Sequence, residues 1–454
     1  MLEKLFKLKE KGTNVKTEII AGITTFMTMA YILAVNPSIL GDAGMDSTAV
    51  LLATCLASFI GTACMALWAN LPFALSAGMG LNAFLAYTVV EGFGYSWQIA
   101  LLAVFIEGLV FIVLSLTNVR EAIFDAIPMQ LKNAVSVGIG LFIAFIGLQN
   151  AGLSVDSEST LVTVISFTES FSTAGISALL AVVGTLITAI LYIKSVKGSI
   201  LLGILATWIL GMLCQLIGIY VPDPTAGYYS LYPVLAITDF SKLGETFGQC
   251  FNVKFDGVSI FNFIVIIFSF LFVDLFDTLG TLIGVSTKSN MLDKDGKLPE
   301  IKPALMADAI ATTAGAVLGT STTTTFVESS AGVAAGGKTG LTALTTAGLF
   351  LVSMFFAPVF TAIPSFATAP ALIIVGFLML TNIKELKLDD GNLSTAIPAF
   401  LCIIAMPMFY SIAEGISIGI ISYVIINLIC KKGKEMSPIM YVLAVLFVLK
   451  YIFL

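Results

Sequence analysis

Two aspartates lie one helical turn apart in a segment that is otherwise apolar. Asp274 and Asp277 fall within a run rich in Ile, Phe, Leu and Val between residues 266 and 281. An ionised carboxylate near the centre of a bilayer costs about 2.5–3.5 kcal/mol on insertion scales, so both side chains are expected to face the interior of a helix bundle. Two neighbouring acids in an apolar environment resist simultaneous ionisation, and one of them is expected to hold a proton near neutral pH. With Thr278, on the same face as Asp274, they are the candidates for proton coupling.

A second chemical feature is a threonine run that ends in an acid. Residues 322–325 are four consecutive threonines, followed by Phe326 and Glu328. The small-residue stretch 329–337 can form a half-helix with Ser329 as its expected N-cap, so that its free N–H groups point at a cavity. Non-helical backbone at membrane depth is tolerated only where it is buried in protein or lines a cavity. The pattern predicts an extended piece and a half-helix at a binding site.

A similar interruption occurs earlier in the chain, between residues 70 and 82. Pro72 removes a backbone donor, and Ser76 can cap the helix that follows. Phe73 and Phe326, beside the two breaks, could stack on a planar ligand. Two interrupted spans at matching positions indicate a transporter binding site. The alternative is that small residues merely allow close helix packing, but packing alone does not require the threonine run or Glu328.

The other residues with reactive side chains limit which groups can carry a proton or bind a metal. Glu107 and Asp308 also lie in apolar segments, but nearer the predicted membrane ends, and are weaker candidates. A helix cap or an interhelical hydrogen bond is the purely structural explanation of such acids. Histidine is absent, so a proton carrier inside the membrane must be Asp or Glu. The six cysteines are scattered without a C-x-x-C pair. We therefore expect no metal and no cofactor, with the proton as coupling ion.

Composition identifies the class of protein that must hold these residues. The 454-residue chain is 58% hydrophobic and 11% charged, with a mean hydropathy of +1.02. About a quarter of the residues are charged in soluble domains, so this chain cannot cover a water-facing surface and we expect no nucleic-acid partner. An all-α membrane protein is predicted. Its apolar spans lie near residues 19–40, 49–69, 72–90, 97–117, 131–150, 174–193, 199–220, 260–286, 303–319, 322–337, 341–362, 368–382, 396–411 and 413–430.

The distribution of charge supports fourteen crossings with the N-terminus in the cytoplasm. With that orientation, all but three of the 22 basic residues fall on the cytoplasmic side, the exceptions being Lys242, Lys254 and Lys450. Residues 1–18 are expected to form an interfacial segment and residues 431–454 a C-terminal hydrophobic segment. We expect its helical part, 437–454, to lie in the interface, so that both termini are cytoplasmic. The predicted location is the cell (inner) membrane.

The chain also resembles itself at a spacing of 254 residues. This spacing pairs Asn36 with Asn290, and residues 76–79 with 330–333. Halves of seven spans each have opposite orientations, which is the inverted repeat of many secondary transporters. The expected repeats are residues 19–220 and 259–430, joined by an extracytoplasmic connector at 221–258.

Taken together, these motifs resemble the AzgA-like purine permeases of the nucleobase–cation symporter superfamily. The chain reads GMGLNAF at 78–84 and DLFDTLGT at 274–281. The full set of matching stretches is 12–26, 30–37, 78–84, 138–148, 274–281 and 322–329.

The resemblance implies a UraA-like fold of fourteen spans, with short strands in spans 3 and 10. It implies a core domain of spans 1–4 and 8–11, a gate domain of spans 5–7 and 12–14, and a homodimer. It also implies proton-coupled import of hypoxanthine, guanine or adenine. The family pattern places Asn82, Asp274 and Glu328 at the purine and Asp277 at coupling. A different alignment makes Asp277 the acid that contacts the base, and the roles of the two aspartates stay open.

Two other functions are consistent with part of the sequence. An anion carrier, for sulfate or bicarbonate, could use the same fold, because half-helix dipoles suit anions. Three acids at the site argue against an anionic substrate. An intramembrane aspartyl protease would need acids on two helices and a Gly-x-Gly-Asp motif, which the chain lacks. A transporter rather than an enzyme is predicted.

Overall fold

The computed structural model describes residues 2–117, 126–233, 236–255, 258–288, 291, 298–387 and 393–453. Asn290 and the basic residues Arg120, Lys294 and Lys297 lie outside the described residues. The helices are α1 (Leu2–Phe6), α2 (Val15–Met29), α3 (Ile32–Asp42), α4 (Ser47–Cys64), α5 (Met79–Ala83), α6 (Trp97–Leu116), α7 (Met129–Asn150), α8 (Ile176–Ile193), α9 (Ser199–Leu216), α10 (Ile260–Lys288), α11 (Ile301–Leu318), α12 (Ser329–Ala334), α13 (Gly340–Ser353), α14 (Ala357–Thr361), α15 (Ser365–Leu380), α16 (Leu393–Met408), α17 (Ile412–Ile429) and α18 (Pro438–Phe453). The strands are β1 (Leu75–Ala77), β2 (Ser154–Ser157), β3 (Leu161–Val164) and β4 (Thr323–Thr325).

The predicted spans correspond to these elements. In the described part of the chain, eleven helical stretches are long and apolar enough to cross a membrane. The other three predicted spans are β1 with α5 and its π-helical continuation Phe84–Gly92, β4 with α12, and the shorter helix α16. The strands predicted in spans 3 and 10 are therefore β1 and β4. An additional hairpin, β2–β3, follows α7 in a loop.

The long helices pack in two groups. In one, α11 packs against α4 and α6, and α13 packs against α2 and α4. In the other, α15 packs against α7, α8 and α9, while α16 packs against α7 and α17. The α7–α15 contact is so close that a Cβ added to Gly376 would lie only 2.4 Å from the Gly140 carbonyl oxygen. The division into a core and a gate domain that move separately stays a prediction.

The N-terminal segment is partly buried. Phe6 and Leu8 are 1% and 0% exposed, whereas Leu2 and Leu5 are 40% and 50% exposed. The first span begins at Val15, earlier than predicted. Its Glu18 carboxylate is fully buried and accepts hydrogen bonds from the backbone N–H groups of Lys338 and Thr339 and from the hydroxyls of Thr339 and Thr342, at the start of α13. The segment is thus fastened to the bundle as well as lying at its surface.

The C-terminal helix lies antiparallel along α17. Its residues Met440, Leu443, Ala444 and Phe447 are buried, a spacing that forms one helical face. Near its end, the buried Lys450 forms an ion pair with Glu414, in the first turn of α17. Sixteen residues of helix are about 24 Å long, shorter than a hydrocarbon core of roughly 30 Å. The interfacial position expected for 437–454 stays a prediction, and the packing along α17 supports a fifteenth crossing as the alternative.

A fifteenth crossing predicts that the two ends of α18 face opposite sides of the membrane. A topology reporter fused after Lys434 and one fused after Leu454 should give opposite signals, as measured by paired fluorescent-protein and alkaline-phosphatase fusions. A control fusion pair flanking α17 should also alternate. Equal signals at 434 and 454 would place α18 in the interface.

Candidate functional site

The two interrupted spans meet as a two-stranded antiparallel sheet inside the bundle. The partners are Leu75–Thr325, Ser76–Thr324 and Ala77–Thr323. Backbone bonds extend the ladder at both ends, from the Gly78 N–H to the Thr322 carbonyl and from the Phe326 N–H to the Ala74 carbonyl. Residues on both strands are buried. Each interruption therefore supplies the hydrogen-bond partners that the other needs at membrane depth.

A threonine from the preceding helix satisfies the outer edge of each strand. Thr62 on α4 accepts from the Leu75 N–H at 2.9 Å and donates to the Leu75 carbonyl at 3.1 Å. Thr312 on α11 makes the same pair of bonds with Thr323, each at 3.2 Å. Two matching devices on two strands support the internal repeat. The residue matching suggested by the 254-residue spacing is imperfect, since Ser76 lies in a strand and Ser330 in a helix.

The predicted serines join elements rather than cap helices. The Ser76 hydroxyl lies 2.8 Å from that of Ser58 on α4, and the Ala74 N–H donates to Ser329 Oγ at 3.0 Å. Neither α5 nor α12 has a side-chain N-cap hydrogen bond. The prediction that these serines act as caps was wrong, because Gly78 and Glu328 occupy the N-cap positions and the serine hydroxyls bond Ser58 and the Ala74 N–H instead. Both serines are fully buried.

Two carboxylates lie at the points where the half-helices begin. Thr324 Oγ1 donates to Asp277 Oδ2 at 3.3 Å, and that oxygen would lie 3.3 Å from a Cβ on Gly78. Glu328 immediately precedes α12, and its Oε1 accepts from the Tyr31 hydroxyl at 2.7 Å. Both carboxylates are partly exposed, and they lie within electrostatic range of each other. They are the accessible acids of the predicted site.

Asp274 lies in a different environment, together with the two acids that the sequence ranked as weaker. Asp274, Glu107 and Asp308 come from α10, α6 and α11, and none has exposed surface. Thr278 Oγ1 lies 2.7 Å from Asp274 Oδ1 and 3.0 Å from Asp308 Oδ1. Glu107 lies within electrostatic range of Asp274, and its Oε2 accepts a hydrogen bond from Thr322 Oγ1 at 3.0 Å. In this conformation Asp274 is part of an enclosed cluster rather than of a ligand-accessible surface.

The remaining predicted residues differ in what they can offer a ligand. Asn82, on α5, is fully buried, and neither atom of its amide has a hydrogen-bond partner among the described residues. Such a group can both donate to and accept from a polar ligand. Phe73 has no exposed surface and packs in the apolar core, whereas Phe326 is 6% exposed. The structure gives no access for stacking on Phe73.

Tyr31 was missed by sequence reasoning. It lies between α2 and α3, is fully buried, and holds one oxygen of Glu328. A tyrosine within an apolar span carries no signal of this role, because its partner lies on a distant segment. Glu107 and Asp308 did carry a signal, as acids in apolar segments, but their common cluster depends on tertiary packing.

A cavity lies beside α12 and is lined in part by Lys11 of the N-terminal segment. Its volume is about 880 Å³, and Lys11 and Glu300 form an ion pair of 3.8 Å at its wall. Its lining includes Leu71, Ser330, Val333 and Lys338. Since Ser330 is two residues from Glu328, the cavity reaches the neighbourhood of the accessible acids. No group of metal-binding side chains occurs in the part of the chain that the structure describes.

The sequence matches one protein family over most of its length. The family model described as "Permease family" (Xan_ur_permease) matches residues 16–418. A permease of Methanocaldococcus jannaschii is 48% identical over 453 residues, covering 100% of this chain and 98% of that protein. The guanine/hypoxanthine permease PbuO of Bacillus subtilis is 44% identical, covering 98% of each chain. The adenine permease AdeP of Escherichia coli is 40% identical, covering 100% of this chain and 96% of its own.

Solved structures resemble the fold at low sequence identity. The transmembrane domain of a cyanobacterial bicarbonate transporter, BicA, has a TM-score of 0.64 at 14% identity, covering 88% of this chain and 97% of that domain. The murine anion transporter Slc26a9, in its inward-facing state, has a TM-score of 0.60 at 12% identity, covering 92% of this chain and 69% of that one. These similarities concern the fold alone. They confirm the predicted UraA-like architecture.

The threonine at the edge of β4 gives a direct test of the strand pair. Thr312→Val keeps the shape of the side chain but leaves the Thr323 N–H without its partner in the bundle interior. We expect a loss of about 1–3 kcal/mol in stability, the usual cost of an unpaired buried polar group. Thermal unfolding of the detergent-solubilised protein would measure it.

Thr313→Val is the matched control, since Thr313 Oγ1 bonds only the Ala309 carbonyl of its own helix among the described residues. The control should change stability much less. Equal effects of the two variants would contradict the assigned role of Thr312.

Proposed function

Because this chain belongs to the permease family, whose relatives are nucleobase transporters rather than enzymes, we propose that it imports purine nucleobases by proton symport. Hypoxanthine or guanine is the proposed cargo, with adenine as the alternative. Full-length relatives at 40–44% identity carry this proposal, because they are named as guanine/hypoxanthine permeases or as an adenine permease. The protein is an integral membrane protein, and we propose the cell membrane as its location.

The chemistry of the site supports a purine. Ring N–H groups of hypoxanthine and guanine are donors, and Glu328 and Asp277 are partly exposed carboxylates that can accept from them. Carbonyl and imidazole acceptors of the base can use the Asn82 amide, which has no partner among the described residues. The first N–H groups of α12 already donate to the carbonyls of residues 326–328, so additional backbone donors for a ligand would come from the start of α5.

The burial of the acids bears on the question left open by the two alignments. Asp277 is partly exposed and lies against Gly78, at the start of α5, whereas Asp274 has no exposed surface. We therefore propose Asp277 and Glu328 as the acids that contact the base. Asp274 then has no contact with the base and acts from the enclosed cluster.

Alternating access is the proposed mechanism of movement. The helices pack in two groups, and the strand pair belongs to the group that contains α4 and α11. Rocking of this group against the α7–α15 group would expose the site alternately to the two sides. The cavity beside α12 corresponds to one open side. A homodimer, as in related carriers, remains part of the proposal.

The anion-carrier alternative has support only from the shared fold. Bicarbonate and anion transport belong to structures that are 14% and 12% identical to this chain. The two accessible carboxylates would repel an anion, since no lysine or arginine of the described residues pairs with either in an ion pair of 4 Å or less. The site therefore favours a neutral substrate that carries donors.

A transport panel tests the substrate class. Proteoliposomes with an imposed inward proton gradient should accumulate labelled hypoxanthine or guanine, with adenine competing weakly, and should not accumulate sulfate. Strong adenine uptake with weak guanine competition would reverse the proposed preference. Saturable sulfate uptake without purine uptake would contradict the proposal as a whole.

Neutralising Glu328 tests its contact with the base. Glu328→Gln keeps the size but removes an ionic acceptor, and such a hydrogen bond contributes about 1.5–3 kcal/mol, or roughly 10–150-fold in affinity. Purine binding to the purified protein should weaken by that factor. Glu91→Gln, at an exposed acid near the end of the π-helical segment, is the control and should bind as the wild type does. Unchanged affinity in Glu328→Gln would refute the contact.

A further inference from the structure

The enclosed acids occupy the junction of three helices. Glu107, Asp274 and Asp308 have no exposed surface, and the equally buried Thr278 lies between the two aspartates. Glu107 approaches from α6 with its Oε1 atom, which has no hydrogen-bond donor among the described residues. Its carboxyl group lies within electrostatic range of the carboxyl groups of Asp274 and Asp308. Acids that are buried this close together resist simultaneous ionisation, so a proton is favoured among them.

The Thr278 contacts call for a proton on the cluster. Thr278 has one hydroxyl proton, yet its oxygen lies within hydrogen-bonding distance of both Asp274 and Asp308. It donates to one aspartate, and the contact with the other becomes favourable when that aspartate is protonated and donates in turn. The enclosed acids are therefore suited to hold a proton.

The threonine run connects this cluster to the accessible acids. Thr322 Oγ1 donates to Glu107 Oε2 at 3.0 Å, and Thr324 Oγ1 donates to Asp277 Oδ2 at 3.3 Å. The two threonines are two residues apart along extended backbone, so their side chains project to the same face. A shift of β4 on substrate binding would change both contacts together.

Further ionisable groups lie close to the cluster. Asp277 lies on the same helix as Asp274 and is within electrostatic range of Asp308 and Glu328. Tyr31 is hydrogen bonded to Glu328 and is within electrostatic range of Asp277. These neighbours are acidic, which makes simultaneous ionisation of all the carboxyl groups unfavourable.

We propose that Glu107, Asp274 and Asp308 hold the transported proton, apart from the purine, and that Glu107 is a coupling residue of the carrier. This inference rests on the proposed function. Loss of the proton breaks the Thr278 bridge between α10 and α11. Proton release is thereby tied to the relative position of these two helices and, through the Thr322–Glu107 hydrogen bond, to β4 and α6.

Infrared spectroscopy of the purified full-length protein can detect a proton on the enclosed acids without any substrate. Near neutral pH, the wild type should show the carbonyl stretch of protonated carboxylic acids, and this band should be reduced in Glu107→Gln and in Asp308→Asn. Glu91→Gln should leave it unchanged. A band that is unaltered in both cluster variants would overturn the proposal, whatever the protein transports.

Transport by the same variants tests coupling. In proteoliposomes, Glu107→Gln should retain exchange of labelled hypoxanthine across the membrane but lose accumulation driven by a proton gradient, while Glu107→Asp should restore part of it. Accumulation by Glu107→Gln with the pH profile of the wild type would overturn the role of Glu107. Loss of exchange as well, in a variant that elutes as a folded protein, would overturn the separation of proton and purine. If Glu107→Gln does not insert, Asp308→Asn decides by the same two measurements.

Failure of the proposed function would look different. In that case the wild type itself would neither exchange nor accumulate a purine, whereas the infrared measurement would still report whether the enclosed acids hold a proton.

Discussion

The pairing of β1 with β4 is the contact on which the site depends. Extended backbone cannot survive at membrane depth unless its N–H and C=O groups find partners in the protein. Here each strand satisfies the other along one edge, and Thr62 and Thr312 satisfy the outer edges. With the backbone satisfied, two half-helices can begin inside the bundle, and their first residues face the same region. The two halves of the chain are therefore joined at the place where a ligand can be held.

The acids divide into two sets with different physical properties. Asp277 and Glu328 lie beside the half-helix starts and keep some exposure, each held by one hydroxyl, from Thr324 and Tyr31. The second set is enclosed and lies at the meeting point of α6, α10 and α11. An accessible carboxylate can exchange a water for a donor on a ligand, whereas an enclosed one can exchange only a proton. In the mechanism that we propose, this separation provides distinct places for the cargo and the coupling ion, connected through β4.

Similarity of fold and similarity of sequence carry different information for this protein. The anion transporters share the architecture at 12–14% identity, so their similarity concerns the fold and not the side chains. Relatives named as guanine/hypoxanthine or adenine permeases share 40–44% of residues over nearly the full length. Beside the strand pair of this chain, the partly exposed acids are Asp277 and Glu328.

Hydropathy, charge distribution and the threonine run were sufficient, by themselves, to indicate a fourteen-span transporter with breaks in spans 3 and 10. These features act locally, since a span is recognised by its own length and a break by its own residues. The sequence also pointed to Asp274, Asp277 and Glu328, because any acid in an apolar segment is costly. Only the tertiary structure decided which of them is enclosed, which hydroxyl holds each, and that Glu107 and Asp308 join Asp274. It also showed that α18 lies along α17 through Lys450 and Glu414. Those outcomes depend on contacts between residues far apart in the chain, and no local pattern encodes the partner of a buried polar group.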